Sequence, residues 1–206
     1  MMMKNFGARV ASVWEGLRPV TQKMLVRALQ TTTAAPTPSP APKFHYDATA
    51  DWEVSRLLSV LDEQARSKDV RADTSRLVEI ETLANACATV LENQTASAEV
   101  FIQLATRAIK SNDYNHLDKL ADRLGERFSA GEVAEVIRQT DMPQIRAIGY
   151  ETLAMMRIPA IVPLLDDPIY SGIAASALEQ MAFEFDSDEA RDILEQFDSE
   201  NEASRD

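Results

Sequence analysis

The chain has 206 residues, a formal net charge of −12 and 45% hydrophobic residues, with a single cysteine, Cys87. This length suits one domain, or one domain with appendages. A lone cysteine excludes an intrachain disulfide and a zinc site built from several cysteines. The acidic excess disfavours binding of nucleic acid, whose phosphates are held by basic patches. No apolar run reaches the roughly 20 residues of a membrane-spanning helix, and no apolar core of a secretory signal follows Met1, so we expect a cytoplasmic protein.

Residues 1–30 form a basic segment ahead of an acidic chain, with five lysines and arginines against Glu15. In a helical projection the apolar residues of this segment gather within about 120°. They are Phe6, Val10, Val13, Trp14, Leu17, Val20, Met24 and Ala28. Pro19 predicts a kink, or two shorter helices that meet near Arg18. The candidate interaction residues are the apolar Phe6, Trp14, Leu17 and Met24 and the basic Arg9, Arg18, Lys23 and Arg27.

Four uses of this basic segment compete. It docks on the acidic remainder of its own chain or on a second copy, or it enters a groove of another protein. It lies on an anionic membrane surface, where each basic residue is worth about 1 kcal/mol. Finally, it is a cleaved organellar presequence, against which the acidic Glu15 speaks.

Residues 31–43, TTTAAPTPSPAPK, carry a proline at every second position from Pro36 to Pro42. This spacing favours polyproline II and bars a helix. At about 3.1 Å per residue, the segment is predicted to be a tether that holds residues 1–30 up to roughly 40 Å from the rest of the chain.

Residues 44–197 are predicted to form one domain of short amphipathic helices, followed by a polar acidic tail over 198–206. Apolar residues recur with helical spacing, and no long run alternates with the period of two that is typical of a strand. One such helical stripe consists of Leu117, Leu120, Ala121, Leu124 and Phe128. The predicted helix caps are Asp51 and the capping boxes Ser129–Glu132 and Asp186–Glu189.

The most patterned stretch repeats at an offset of 25 residues, with DMPQIRAIGYETLAMM matching DDPIYSGIAASALEQM. Each copy is predicted to begin with a capping aspartate and a proline in the first helical turn. Gly149 and Ala174 are predicted to let a neighbouring helix approach closely, and Pro163 to limit the short helix between the copies. The structural repeat residues are Asp141, Pro143, Arg146, Gly149, Leu153, Asp167, Pro168 and Leu178.

The pattern Asp-x-Pro-x-Ile-Arg-x-x-Gly-x-x-Thr-Leu, followed by PAIVPLLDDP, resembles the HEAT-like (armadillo-type) repeats of α-solenoids. The resemblance covers residues 141–181. It implies an all-α fold, a short right-handed α-solenoid of stacked helix pairs, preceded by the tethered amphipathic helix. It also implies that Arg146 makes an ion pair between repeats. The second copy has Ser171 at the corresponding position, so the row of such ion pairs would stop after the first copy.

Few residues suggest catalysis or metal binding. His116 shares a helix face with Asp113 and Asp122, but a solvated surface explains this group more simply than a metal site. Cys87 lies on an apolar stripe and is predicted to be a buried thiol rather than a nucleophile. Phosphate-binding loops and hydrolase motifs are absent from the sequence. We therefore predict no cofactor and no metal.

The predicted function is a non-catalytic scaffold or adaptor that binds another protein or a second copy of itself. The contact is expected on the concave face of the solenoid or on the tethered helix. The alternative is a peripheral membrane protein anchored by residues 1–30. A third class, an enzyme, would be revived by a cofactor or metal bound to the purified protein.

Overall fold

The computed structural model describes residues 6–33 and 46–203, with side chains described for 6–30 and 46–199. Over these residues the chain is helical and has no strand, so the predicted all-α fold is confirmed. The helices are α1 (Ala8–Glu15), α2 (Pro19–Thr33), α3 (Ala48–Ala65), α4 (Lys68–Arg71), α5 (Thr74–Gln94), α6 (Ala98–Lys110), α7 (Tyr114–Arg127), α8 (Ala130–Gln139), α9 (Pro143–Ala154), α10 (Ile158–Ile161), α11 (Ser171–Glu184) and α12 (Asp188–Ala203).

The helices fall into two compact units, unit 1 over Met1–Thr95 and unit 2 over Ala96–Asp206. The domain predicted over 44–197 therefore divides after Thr95, and the segment predicted to be tethered apart belongs to unit 1. The reason is that α1 packs on α3 and α2 packs on α5. On α1 the predicted apolar stripe faces the core, but on α2 the buried side chains are Thr21 and Leu25, while Val20 of the predicted stripe is 40% exposed. Most of the linker predicted over 31–43 lies outside the described residues, although α2 continues to Thr33.

Unit 1 is built around the long contact between α3 and α5, with α1 lying on α3 and α2 on α5. The predicted stripe supplies buried side chains from Phe6, Val10, Val13 and Leu17, and Leu25 is also fully buried. Each fully buried side chain of this size contributes about 1.5–3 kcal/mol relative to an exposed one. The predicted break at Pro19 is confirmed, because α1 ends at Glu15 and α2 begins at Pro19.

Unit 2 consists of helix pairs packed side by side. Helix α6 packs on α7, α8 on α9 and α11 on α12, while alternate helices also touch, α6 with α8, α7 with α9 and α9 with α11. Contacts between alternate helices place successive pairs in register, which is the arrangement of stacked helix pairs in an α-solenoid.

The repeat residues that fill space behave as predicted. Pro143 occupies the first turn of α9, and Ile145, Leu153 and Leu178 are fully buried. Gly149 is buried as well, and a Cβ atom added to it would lie 2.6 Å from Cγ1 of Ile137 on α8. The close approach of two helices at this glycine is therefore confirmed.

The repeat residues predicted to cap helices do not do so. Asp141 is exposed, and the residue at the N-cap of α9 is Met142, which has no side-chain cap. The hydroxyl of Thr140 accepts the Met142 amide at 3.2 Å, which satisfies the chain entering α9 without the aspartate. In the second copy the Asp167 carboxylate accepts the Ile169 amide at 2.8 Å. It thus closes a turn that contains Pro168 before α11 begins at Ser171.

Arg146 is exposed, and it makes no ion pair with any residue that the structure describes. The inter-repeat ion pair implied by the family resemblance is therefore not found. Other helix ends differ too. Asp47 rather than Asp51 caps α3, and α12 runs on through 198–203, which was predicted to be tail.

The two predicted capping boxes have different outcomes. The Ser129 hydroxyl caps α8 by accepting the Glu132 amide at 3.2 Å, as predicted, but the Glu132 carboxylate accepts the Ala98 amide at the start of α6. At the other box Asp186 has φ 50°, in the left-handed region, whereas an N-cap residue needs extended geometry. Ser187 takes its place by accepting the Ala190 amide at 3.3 Å.

We expect Gly149→Ala to destabilise unit 2 by about 1 kcal/mol. Alanine gains about 1 kcal/mol in helix propensity, but its methyl group must displace the buried Ile137, and overpacking costs about 1–3 kcal/mol. Gly125→Ala is the matched control, because its Cβ would meet only the Thr152 Cγ2 at 3.7 Å. Amide hydrogen exchange of α8 and α9 measures both. Equal stabilisation by the two substitutions would refute the close contact.

Candidate functional site

The candidate interaction residues of the basic segment are divided between the core and the surface of unit 1. Phe6 and Leu17 are buried at 1% and 6% exposure, and Trp14, Met24 and Arg27 are half-buried, while Lys23 is exposed. Arg9 is exposed and pairs with Glu63 of α3. The segment thus packs on its own chain, the first of the four alternatives. A membrane or a partner could reach its apolar face only after α1 and α2 detached.

Arg18 lies between α1 and α2 and joins them to α3. Its amide and its Nε donate to the Glu53 carboxylate at 2.8 and 3.0 Å, and its other guanidinium nitrogens donate to Asp47 at 2.7 and 3.0 Å. The hydroxyl of buried Thr21 also donates to Glu53. Arg18 was predicted to contact a partner, but these bonds give it a place in the packing of unit 1.

Glu53 is a buried carboxylate, 4% exposed. Burial by itself raises its pKa, but the hydrogen bonds from Thr21 and from the amide and side chain of Arg18 outweigh burial and leave the pKa below its usual value. The guanidinium bonds to Asp47 and then Glu53 raise the pKa of Arg18 in return. The Glu53 carboxylate thus connects α3 to Arg18 and to α2 through hydrogen bonds. Removing these partners would be strongly destabilising, because it would leave a buried charge unpaired.

The other residues weighed from the sequence have structural positions. Asp113 caps α7 by accepting the His116 amide at 3.0 Å, and Cys87 is buried in α5, as predicted. Within residues 6–33 and 46–203, histidine, cysteine and acidic side chains do not gather in any group of three that could hold a metal ion. None of the helices in those ranges is long and apolar enough to cross a bilayer.

Unit 2 has an open groove of about 1010 Å³ along α7 and α9, here called the acidic groove. Its walls are the facing sides of these two helices. At the C-terminal ends of α7 and α9 the groove is closed by the turn into α8 and by the start of α10. The lining residues are Asp118, Ala121, Asp122, Gly125, Glu126, Phe128, Ser129, Ala130, Gly131, Ile148, Glu151, Thr152, Met155, Met156, Arg157 and Ala160.

The α7 wall of the acidic groove carries a row of carboxylates. Asp118, Asp122 and Glu126 follow one another at four-residue spacing, so they share one face of the helix and span about 12 Å along its axis. All three are exposed. Ala121 and Gly125 lie between them, so the wall beside the acids is shallow.

The α9 wall is largely apolar. Ile148, Thr152 and Met155 occur at the spacing of one helix face and share it with Glu151. Met155 is 71% exposed, which is high for a large apolar side chain. A Cβ on Gly125 would lie 3.7 Å from Thr152 Cγ2, so the two walls meet at the base of the groove.

Sequence reasoning missed this surface. The acids of α7 have the spacing of an ordinary solvated helix face. The available signal was the row Asp118, Asp122, Glu126 with small residues between its members. Periodicity does not show, however, that the exposed apolar side of α9 lies beside that row.

A second cluster of charged residues ties α8 to the start of α11. The Tyr170 hydroxyl donates to the Glu135 carboxylate at 2.7 Å, and Arg138 and Gln139 also donate to it. Chiefly through the bond from Arg138, and against the effect of burial, the pKa of Glu135 falls from 4.5 to about 2.

We expect the stability contributed by Glu135 to be lost on acidification. Because its folded pKa is lowered, the contribution is complete above about pH 4.5 and disappears as the pH falls towards 2. Wild type should exceed Glu135→Gln by about 1 kcal/mol in free energy of unfolding at pH 7, since Arg138 is half exposed and water screens the pair. Urea titrations of both proteins between pH 7 and pH 2 measure this. A difference that stays constant down to pH 2 would contradict the assignment.

Together, the described residues define an all-α protein of packed helix pairs with an open acidic groove in its second unit. No protein-family model, curated protein or solved structure matches the chain.

Proposed function

We propose that the protein is a non-catalytic scaffold or adaptor that binds a segment of another protein in the acidic groove, and that residues 141–181 are HEAT-like repeats. The observation that carries this proposal is the apolar side chain of Met155, which is 71% exposed at the C-terminal end of α9, beside the half-buried Ile148 and Met156. Soluble proteins seldom leave contiguous apolar surface exposed, and where they do it commonly marks a site of interaction.

The dimensions of the groove favour a polypeptide ligand. Pockets for small molecules enclose about 300–1000 Å³ and bury most of the ligand, whereas this groove is as large as the upper end of that range and is open along its side. An α-helix with its side chains is about 10–12 Å across. The space between α7 and α9 therefore suits a segment that lies along it.

The lining chemistry also favours binding over catalysis. The groove offers carboxylates, hydroxyls and one arginine, Arg157, and its lining includes no histidine, cysteine or lysine. Histidine is the residue that most often carries out general acid–base catalysis. The proposed function rests on shape and charge, which a docking surface needs.

If residues 1–30 supplied the contact, removing residues 1–43 would abolish partner binding. That deletion would also remove core side chains of unit 1 such as Val10 and Leu25. A loss of binding would then report unfolding as readily as a lost contact. The test has to be made inside the groove.

Gly125→Trp is expected to abolish capture of the partner while leaving the fold intact. Gly125 is an exposed lining residue whose Cβ meets only one methyl group, so a large side chain fits the helix and fills the groove. Affinity purification with mass spectrometry should recover the partner with wild type and with Gly125→Ala, and at least about tenfold less with Gly125→Trp, a loss of 1.4 kcal/mol or more. The same set of captured proteins from all three would contradict the proposal.

A further inference from the structure

We infer that the occupant of the acidic groove is an amphipathic helix of a partner protein, with lysines or arginines alongside its apolar stripe. This inference rests on the proposed function and specifies its ligand. Three properties of the groove carry it, namely its charge, the absence of any backbone edge along its walls, and its apolar surface.

The charge of the groove calls for a cationic ligand. Four carboxylates line it, Asp118, Asp122, Glu126 and Glu151, against the single Arg157. None of the four makes an ion pair with a residue in the described part of the chain. Like charges left so close repel one another, and a cationic ligand relieves that repulsion while it steers association and excludes acidic competitors.

The walls of the groove select a helix over an extended chain. Both walls are helices, α7 and α9, whose backbone groups are bonded within the helices themselves, so the groove offers no free strand edge. An extended peptide would place its amides and carbonyls against apolar side chains without partners, at a cost for each group. A helix satisfies its own backbone and packs its side chains between the ridges of the two walls.

The apolar surface of the groove sets the other face of the ligand. Ile148, Met155 and Met156 lie on the α9 side of the groove, across from the carboxylate row of α7. Phe128 lies at the C-terminal end of α7. Methionine side chains are flexible and polarizable, and adapt to differently shaped apolar residues. The ligand stripe is therefore expected to hold leucine, methionine or phenylalanine at helical spacing, with basic residues at every fourth position to meet Asp118, Asp122 and Glu126.

Residues 1–30 of a second copy have this chemistry, being basic and amphipathic. Two of their large apolar side chains, however, are already in use, because Val10 and Leu25 are fully buried in unit 1 of their own chain. Reaching the groove of another copy would expose both residues to water. The occupant is thus assigned to a different protein.

Selection from a display library of random helical peptides tests the inference. Binders are selected on the full-length wild-type chain, and the enrichment of each peptide is compared with its enrichment on Gly125→Trp. Gly125→Ala is the control for the substitution itself. We expect peptides with a basic row beside an apolar stripe to be enriched at least about tenfold over the Gly125→Trp background. A synthetic peptide of residues 6–30 is titrated in parallel and is expected not to bind.

Each other outcome contradicts one part of the inference. Peptides with acidic or uncharged rows that bind wild type but not Gly125→Trp would overturn the inferred charge of the ligand and leave the scaffold function standing. Extended or proline-rich peptides that bind in the same way would overturn the inferred helical conformation of the ligand. Groove-dependent binding of the 6–30 peptide replaces the partner by a second copy. If no peptide distinguishes wild type from Gly125→Trp, the groove is not a docking surface and the proposed function fails as well.

Discussion

Leu25→Ala is expected to lower the free energy of unfolding of unit 1 by about 2–5 kcal/mol, the usual cost of truncating a fully buried leucine. Leu25 lies on α2, has no exposed surface, and belongs to the helix that packs on α5. The size of the effect depends on α2 being part of the core. A helix held apart on a tether would lose only a few tenths of a kcal/mol from the same change, in helix propensity.

Val26→Ala is the matched control for Leu25→Ala. Val26 is the next residue of the same helix and is 43% exposed, so its truncation is expected to change stability by less than about 0.5 kcal/mol. Urea unfolding followed by tryptophan fluorescence reports on unit 1 specifically, because Trp14 and Trp52 are the two tryptophans of the chain and both lie in that unit. Similar small losses from both substitutions would show that α2 does not dock there.

The second large effect is expected in binding. Asp122→Lys combined with Glu126→Lys should weaken the binding of a basic peptide selected on the groove by about 100-fold. Two attractive contacts at the α7 wall become repulsive, and like charges placed together across an interface cost several kcal/mol. A version of the peptide with glutamates in place of its lysines should respond in the opposite direction and bind the reversed groove better than wild type.

Glu179→Lys combined with Asp192→Lys controls for the change in net charge. Both residues are exposed, and they belong to α11 and α12, outside the lining of the groove. This pair should alter affinity for the basic peptide by no more than about threefold, an effect of screened long-range charge. Fluorescence anisotropy at two salt concentrations measures the affinity of each double variant for each of the two peptides, with wild type as the reference. Equal losses from the two double variants would mean that net charge, and not the groove, attracts the peptide.

Side-chain periodicity allowed much of the fold to be predicted. The all-α architecture, the break at Pro19 and the cap at Ser129 follow from local rules that involve a few neighbouring residues. The close contact at Gly149 could be predicted too, because a glycine in the middle of an apolar helix face is typical of a site where a second helix approaches closely. The helices, the break and the cap depend on near neighbours in the chain, and so the sequence shows them directly.

The errors came from features that depend on distant parts of the chain. The stripe of residues 1–30 was recognised, but periodicity does not say which surface covers it, and so Arg18 was predicted to meet a partner rather than Glu53. Caps were misplaced for a related reason. A capping aspartate needs extended backbone geometry, and the path of the chain into each helix decides this, as at Asp186 with its φ of 50°.

The acidic groove belongs to the same group of features. Its acids lie on α7 and its apolar residues on α9, and neither set is unusual by itself. Only the packing of alternate helices in unit 2 brings Gly125 beside Thr152. This contact joins the acidic face of α7 and the apolar side of α9 into one groove.

Methyl NMR of the full chain labelled at its methionines is the most direct test of the claim that the acidic groove holds a basic amphipathic helix. Met155 and Met156 line the groove, while Met24, Met142 and Met181 lie outside it and serve as internal controls. On titration with the selected basic peptide, the two groove methyl signals should shift and the three control signals should stay in place, and Gly125→Trp should suppress the shifts. Shifts at the control methionines with none at Met155 and Met156 would contradict the account.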